Sequence, residues 1–218
     1  MISPRTILAL DLSSTRGVIA VLRGTEILFE AAFTAERSHN AQVFAPLGQA
    51  LDAIGAESAI MVIGTGPGSY TGVRIAIAAA QGIALSRGWP VFGWPSITSG
   101  PLADYHVIGD ARRGMFYLTS VKQSTLGPIE IVDAAAAQAA VEAGGDWFSF
   151  DAKPPLALPQ VQLCPPDAGK LALIASTLPD EVIKTLAAQS LEPVYLQEAF
   201  ITTAKKAGKK VPCVAQPI

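Results

Sequence analysis

One pattern occurs twice in this chain and constrains its fold more than any other feature. Leu8-Ala9-Leu10-Asp11 runs an apolar stretch into an aspartate and a turn that ends at Gly17, with a second apolar stretch, Val18–Leu22, behind it. His106-Val107-Ile108-Gly109-Asp110 does the same, passing through Ala111, Arg112, Arg113 and Gly114 into Met115–Val121. Short apolar runs bounded by turn residues read as strands, and a repeated supersecondary unit reads as duplication of one α/β module.

The segments between the repeats fit that reading. Thr6–Leu12, Val18–Leu22 and Glu26–Phe33 are expected to form three antiparallel strands, and Val43, Leu47, Ala50, Leu51 and Ile54 stand at helical spacing within Ser38–Ile54, which Gly55 closes. Ala59–Ile63 is apolar throughout, as a strand buried on both faces would be. A glycine-rich stretch, Gly64–Gly72, leads into an alanine-rich helix over Val73–Ser86, a strand at Val91–Trp94 and a short helix near Pro95–Ser96. After the second repeat come a helix at Ala134–Glu142, a short strand at Trp147–Phe150, a proline-rich loop over Lys153–Pro166 and a helix over Gly169–Gln189.

Half of the 218 residues are hydrophobic, enough to bury a substantial core without disulfide staples. Charged residues make up 16% against roughly 25% in an average soluble domain, and the mean hydropathy is +0.37, so apolar surface is expected to await a partner. A net charge of −2 argues against a protein that grips nucleic acid by itself, because phosphate binding needs clustered Lys and Arg. Cys164 and Cys213 lack metal-ligand spacing and suit a reducing compartment. No basic leader opens the sequence and no run is long enough for a bilayer, so a cytoplasmic location is expected.

Gly64-Thr65-Gly66-Pro67-Gly68-Ser69-Tyr70-Thr71-Gly72-Val73-Arg74-Ile75 is the most informative stretch. A glycine-rich loop feeding a helix start leaves amides free for an anion or a carbonyl. The stretch is not a P-loop, since no Lys-Ser/Thr follows its last glycine, nor is it the dinucleotide fingerprint. This signature, together with Ala80-Gln81-Gly82-Ile83-Ala84-Leu85, closely resembles the TsaB family. Asp11, the run Asp110-Ala111-Arg112 with Gly114 and Tyr117, and Glu192-Pro193-Val194-Tyr195-Leu196 extend the resemblance.

The resemblance implies an actin-like ATPase fold of two RNase H-like lobes, here 1–103 and a reduced lobe over 104–203, before a basic tail at 204–218. It implies a non-catalytic scaffold that pairs with a catalytic paralogue, TsaD, works with the ATPase TsaE, and forms a homodimer when alone. In that system TsaD transfers a carbamoyl-threonine group to adenosine 37 of tRNA, so tRNA is reached mainly through the complex. No membrane and no cofactor enter this picture.

Catalytic relatives hold a metal through a His-x-x-x-His pair on one helix face. Here only His39 and His106 occur, far apart, which disfavours metal-dependent and peptidase chemistry. Asp11 and Asp110 sit where an ATP-using relative would hold magnesium and phosphates, yet Ser13 replaces the glycine that close phosphate approach requires, and Phe150-Asp151-Ala152-Lys153-Pro154 stands where an adenosine turn would lie. Asp11, Ser13 and Asp110 are therefore candidates for residual nucleotide contact or for structural strand-end acids, and an ATP-binding small-molecule kinase or ATPase is the alternative function. On the alanine-rich helix, Gly72, Ala76, Ala80 and Ala84 share one face, with Ala78 and Gly82 on the next stripe. Either that face packs on its own sheet, or it joins the Ser38–Ile54 helix in a bundle with TsaD. Arg74 is a candidate to pin a carboxylate or carbonyl across the interface, with a solvated arginine as the other reading. The tail lysines Lys205, Lys206, Lys209 and Lys210 are expected to be soluble tail rather than a tRNA contact.

Overall fold

Alternating burial along the first strands decides the architecture. In the computed structural model, which describes residues 4–34 and 42–196, β1 (Thr6–Asp11) sends Leu8 and Leu10 into one core and Ile7 and Ala9 into another. β2 (Arg16–Arg23) and β4 (Ile60–Gly64) divide in the same way, with Ile19, Val21, Met61 and Ile63 on one side and Val18, Ala20, Leu22 and Val62 on the other. A sheet covered on both faces needs apolar residues at every position, which is why these strands read as continuous hydrophobic runs.

The first sheet has the order β3-β2-β1-β4-β5, where β3 is Glu26–Thr34 and β5 is Val91–Trp94. β1 pairs antiparallel with β2 and parallel with β4, the RNase H-like arrangement expected for an actin-like lobe. Helices α1 (Phe44–Ile54) and α2 (Tyr70–Arg87) cover one face. Ser69 caps α2, its Oγ accepting the Gly72 amide, and Gly88 at φ 67° ends it.

The second sheet repeats the plan. β6 (Asp104–Arg112) pairs antiparallel with β7 (Met115–Lys122) and parallel with β10 (Trp147–Ser149), and β10 pairs parallel with β11 (Val161–Leu163). β8 (Thr125–Leu126) and β9 (Glu130–Val132) both pair with β7 and take the place of β3. Helix α3 (Ala134–Glu142), capped by Asp133, stands where α1 stands in the first half. Between β10 and β11 there is a loop rather than a counterpart of α2, so the second half is the reduced one.

The sheets are joined by a short 3-10 turn, Ser96–Thr98, whose Ile97 enters the second core. Tyr105 locks this joint: its hydroxyl donates to the Ile97 carbonyl at 2.6 Å and accepts the Gly100 amide at 2.9 Å, and burial pushes it up to about 12.

Three expectations change. The single helix over Gly169–Gln189 is two, α4 (Ala168–Thr177) and α5 (Asp180–Ala187), because Pro179 disfavours helical backbone at Leu178 and starts a new helix itself. The expected second lobe, 104–203, takes in these helices, yet Ala168, Leu171, Ala172, Ala175 and Ile183 fill the core on the far face of the first sheet. The proline-rich loop contains β11, a strand of three residues. The first residues of the Ser38–Ile54 helix, His39 and the 204–218 tail lie outside the described residues.

Candidate functional site

Asp11 ends β1 and Asp110 stands two residues before the end of the equivalent β6, and each folds its turn in the same way. Oδ1 of Asp11 accepts the Ser13 amide at 2.7 Å, and Oδ1 of Asp110 accepts the Arg112 amide at 2.6 Å. The repeat seen in the sequence is therefore a repeated turn in space. The two acids differ in setting. Asp11 is 0% exposed, its Oδ2 has no hydrogen-bond partner among the described residues, and burial pushes its carboxyl above the usual range against the opposing pull of Ser13 and the nearby Ser96 hydroxyl. Asp110 is exposed and pairs with the Arg112 guanidinium at 3.2 Å.

The glycine-rich stretch closes over the first turn. A side chain at Gly68 or Gly72 would overlap the carbonyl of Ser13 or Leu12, and the Ser69 amide donates to the Ser13 carbonyl at 2.5 Å. The Thr65 amide donates to Trp94 O, the Gly66 amide to Ser96 Oγ, and the Gly72 amide to Ser69 Oγ. Four of the amides expected to stay free for a ligand, those of Thr65, Gly66, Ser69 and Gly72, are thus spent within the loop and on its contacts with the first turn and the joint between the sheets. The Ser13 amide, which a bound phosphate would need, is taken by Asp11.

Between this loop and the second sheet lies a cleft with two connected cavities. The larger, about 770 Å³, runs from Ser13, Ser14 and Thr15 across to Phe116, Asp151 and Lys153. The smaller, about 350 Å³, lies between Val73 and the segment Pro193–Leu196, and both include Gly68, Tyr70, Asp110 and Arg112.

Asp151, in the Phe150–Pro154 run, lines the larger cavity. Its Oδ2 accepts the Asp110 amide at 2.8 Å; burial raises its pKa first, the Asp110 charge adds to that, and the Asp110 amide and Arg112 oppose it. Arg112 at φ 72° and Arg113 at φ 59° sit in left-handed backbone at the β6–β7 hairpin, where a bulge between Asp110 and Arg112 turns the strand end toward the cleft.

The alanine-rich helix corrects the expected partner face. Gly72, Ala76 and Ala80 are buried among Leu10, Ile63 and their neighbours, so the chain's own sheet occupies that side and no partner reaches it. Ala84 is half-buried, while Arg74 and Gly82 are exposed. Tyr70, Arg74, Ala78, Gly82 and Leu85 follow one another at helical spacing along the outward side, and Leu85 is 90% exposed. Phe44 on α1 is 59% exposed. His106 is stacked on Trp147, ring centroids 4.8 Å apart. Among the described residues no three His, Cys, Asp or Glu side chains gather as a metal-binding group, and no helix is long and apolar enough to cross a membrane.

The family model described as TsaD, tRNA N6-adenosine threonylcarbamoyltransferase, matches residues 33–144, just over half of the chain. A tRNA threonylcarbamoyladenosine biosynthesis protein TsaB from Bacillus subtilis is 32% identical over 136 residues, which is 58% of this chain and 59% of that protein's length. Two crystal structures from Pseudomonas aeruginosa, one called YeaZ and one described as similar to the peptidase YeaZ, share its fold. At 24% identity they align over 88% of this chain and all of theirs, with TM-scores of 0.59 and 0.63.

Proposed function

This chain belongs to the TsaB family, related to the TsaD threonylcarbamoyltransferases, and from that premise we propose that it is an accessory subunit in forming threonylcarbamoyladenosine at position 37 of tRNA. It acts by pairing with a TsaD-type protein and does not itself transfer the group.

The observation that carries this reading is the outward side of α2. Leu85 exposes a large apolar side chain on it, Ala78 and Gly82 are small, and Phe44 on α1 exposes another large apolar side chain. An added Cβ at Gly82 would meet nothing within 4 Å, so the glycine is not required by the chain's own packing. A glycine inside a helix costs about 1 kcal/mol relative to alanine, and close approach of another backbone is a reason to keep it. Related subunits exchanging equivalent surfaces also account for a homodimer with two-fold symmetry when the partner is missing. A TsaE-type ATPase completes the set of proposed partners, and the cytoplasm is the proposed location.

The closed turn at Asp11 weighs against the alternative, a kinase or ATPase, because the amides of Ser13, Gly66 and Ser69 are already bonded. Reconstitution tests the reading: a TsaD-type and a TsaE-type protein from the same organism, with tRNA and threonylcarbamoyl-adenylate, should modify tRNA only when this chain is added. Modification by the chain alone, or undiminished modification without it, would refute the accessory role.

A further inference from the structure

We propose that Tyr70, Arg74 and Tyr195, with the smaller cavity behind them, form a docking site for a protein segment that presents an apolar side chain next to a carboxylate. The site lies at the cleft end of α2, and it rests on the accessory role for the identity of the proteins used to probe it.

The segment carrying Tyr195 is tied down on both sides of that residue. Leu191 packs into the first core, the Val194 amide donates to the Thr65 carbonyl at 2.9 Å, and Leu196 packs against the second core. Between these fixed points Tyr195 is turned outward and is 50% exposed, and Tyr70 beside it is 48% exposed. The two rings lie 5.7 Å apart, and the Arg74 guanidinium sits over the Tyr70 ring, 4.7 Å from its centroid. The three side chains thus hold one another in place before any partner arrives. Little conformational entropy remains to be lost on binding, and Tyr and Arg are the residue types that anchor interfaces.

Arg74 makes no ion pair among the described residues, whose bridges engage Arg5, Arg23, Arg112 and Lys184. A carboxylate from outside the chain would supply the missing charge. Val73, Val194 and Leu196 wall the cavity of about 350 Å³ next to it, a volume suited to one or two apolar side chains. RNA is the less fitting occupant. A phosphate track needs several available cations, whereas of the two arginines lining the cavity Arg112 is already paired with Asp110 and Arg113 is also engaged.

The test uses the full chain in titration calorimetry, with the TsaD-type and TsaE-type proteins of the same organism as probes and thermal unfolding as a check. Arg74→Glu should weaken binding to at least one probe by roughly 30-fold and Tyr195→Ala by roughly tenfold, with unfolding temperatures unchanged. Arg74→Gln, which removes charge without reversing it, should fall between wild type and Arg74→Glu. Retention of wild-type affinity for both probes in these variants overturns the docking site and leaves the pairing role standing. Failure of the wild-type chain to bind either probe overturns both. Saturable binding of a seven-nucleotide single-stranded RNA or of ATP that Arg74→Glu abolishes also overturns the proposal, in favour of a nucleic-acid or nucleotide site.

Discussion

Gly64→Ala should damage this protein far more than an added methyl group suggests. Gly64 ends β4, and a Cβ built there overlaps Oδ2 of Asp11 and comes within 2.7 Å of Ser96 Oγ. Neither neighbour has room to retreat: Asp11 and Ser96 are both 0% exposed, and Ser96 Oγ accepts the Gly66 amide. Overpacking of this kind costs about 1–3 kcal/mol, and loss of the Gly66 bond adds about 1 kcal/mol, for a total of about 2–4 kcal/mol. In a chain of this size that lowers the unfolding temperature by roughly 4–16 °C. Gly82→Ala provides the contrast, since space is open there and the helix interior is exposed; it should stabilise the isolated chain by about 1 kcal/mol. Scanning calorimetry on both variants reads the difference. Equal unfolding temperatures for Gly64→Ala and wild type, or a fall in Gly82→Ala, would refute the packing argument.

Ala80→Trp should lower stability by about 1–3 kcal/mol, because Ala80 is buried between α2 and its own sheet; an unfolding temperature equal to wild type would show that the stripe is not core. Asp11 has a folded pKa above its ordinary 3.8, so the stability of its protonated form is complete below that pH and is lost as pH rises through the folded value. Asp11→Asn keeps an oxygen for the Ser13 amide and should flatten the decline of stability from pH 3.8 upward in denaturant titrations, whereas an unchanged slope would assign the decline elsewhere. Asp151, also raised by burial, should contribute a second part of the same decline that Asp151→Asn removes.

β1, β2 and β4 were legible because burial on both faces leaves a periodicity-free apolar run, and the duplication was legible because Asp11 and Asp110 each close an apolar run before a turn. The facing of α2 was not. Its small residues satisfy a close-packing pattern on two sides at once, and only the position of Leu10 and Ile63 decides which side is core. Asp151 escaped for another reason: its partner Asp110 is 41 residues away in sequence, and pairing of β10 with β6 brings them together. Pro179 splits the expected helix, yet Leu171, Ala175 and Ile183 on either side of it pack into the same core. Tyr70 and Tyr195 stood in motifs that were noticed, yet their contact depends on the route of the chain from α5 to the second core, which no local pattern encodes.

Pairing with a TsaD-type protein is tested most directly at the outward side of α2. Sedimentation velocity of the full chain mixed with the TsaD-type protein of its own organism, with and without Leu85→Asp, measures it. The wild type should form a one-to-one complex, and Leu85→Asp should bind with an affinity lower by tenfold or more, roughly 1.4 kcal/mol, at an unchanged unfolding temperature. A complex equally tight with aspartate at position 85, or no complex with the wild type, would contradict it.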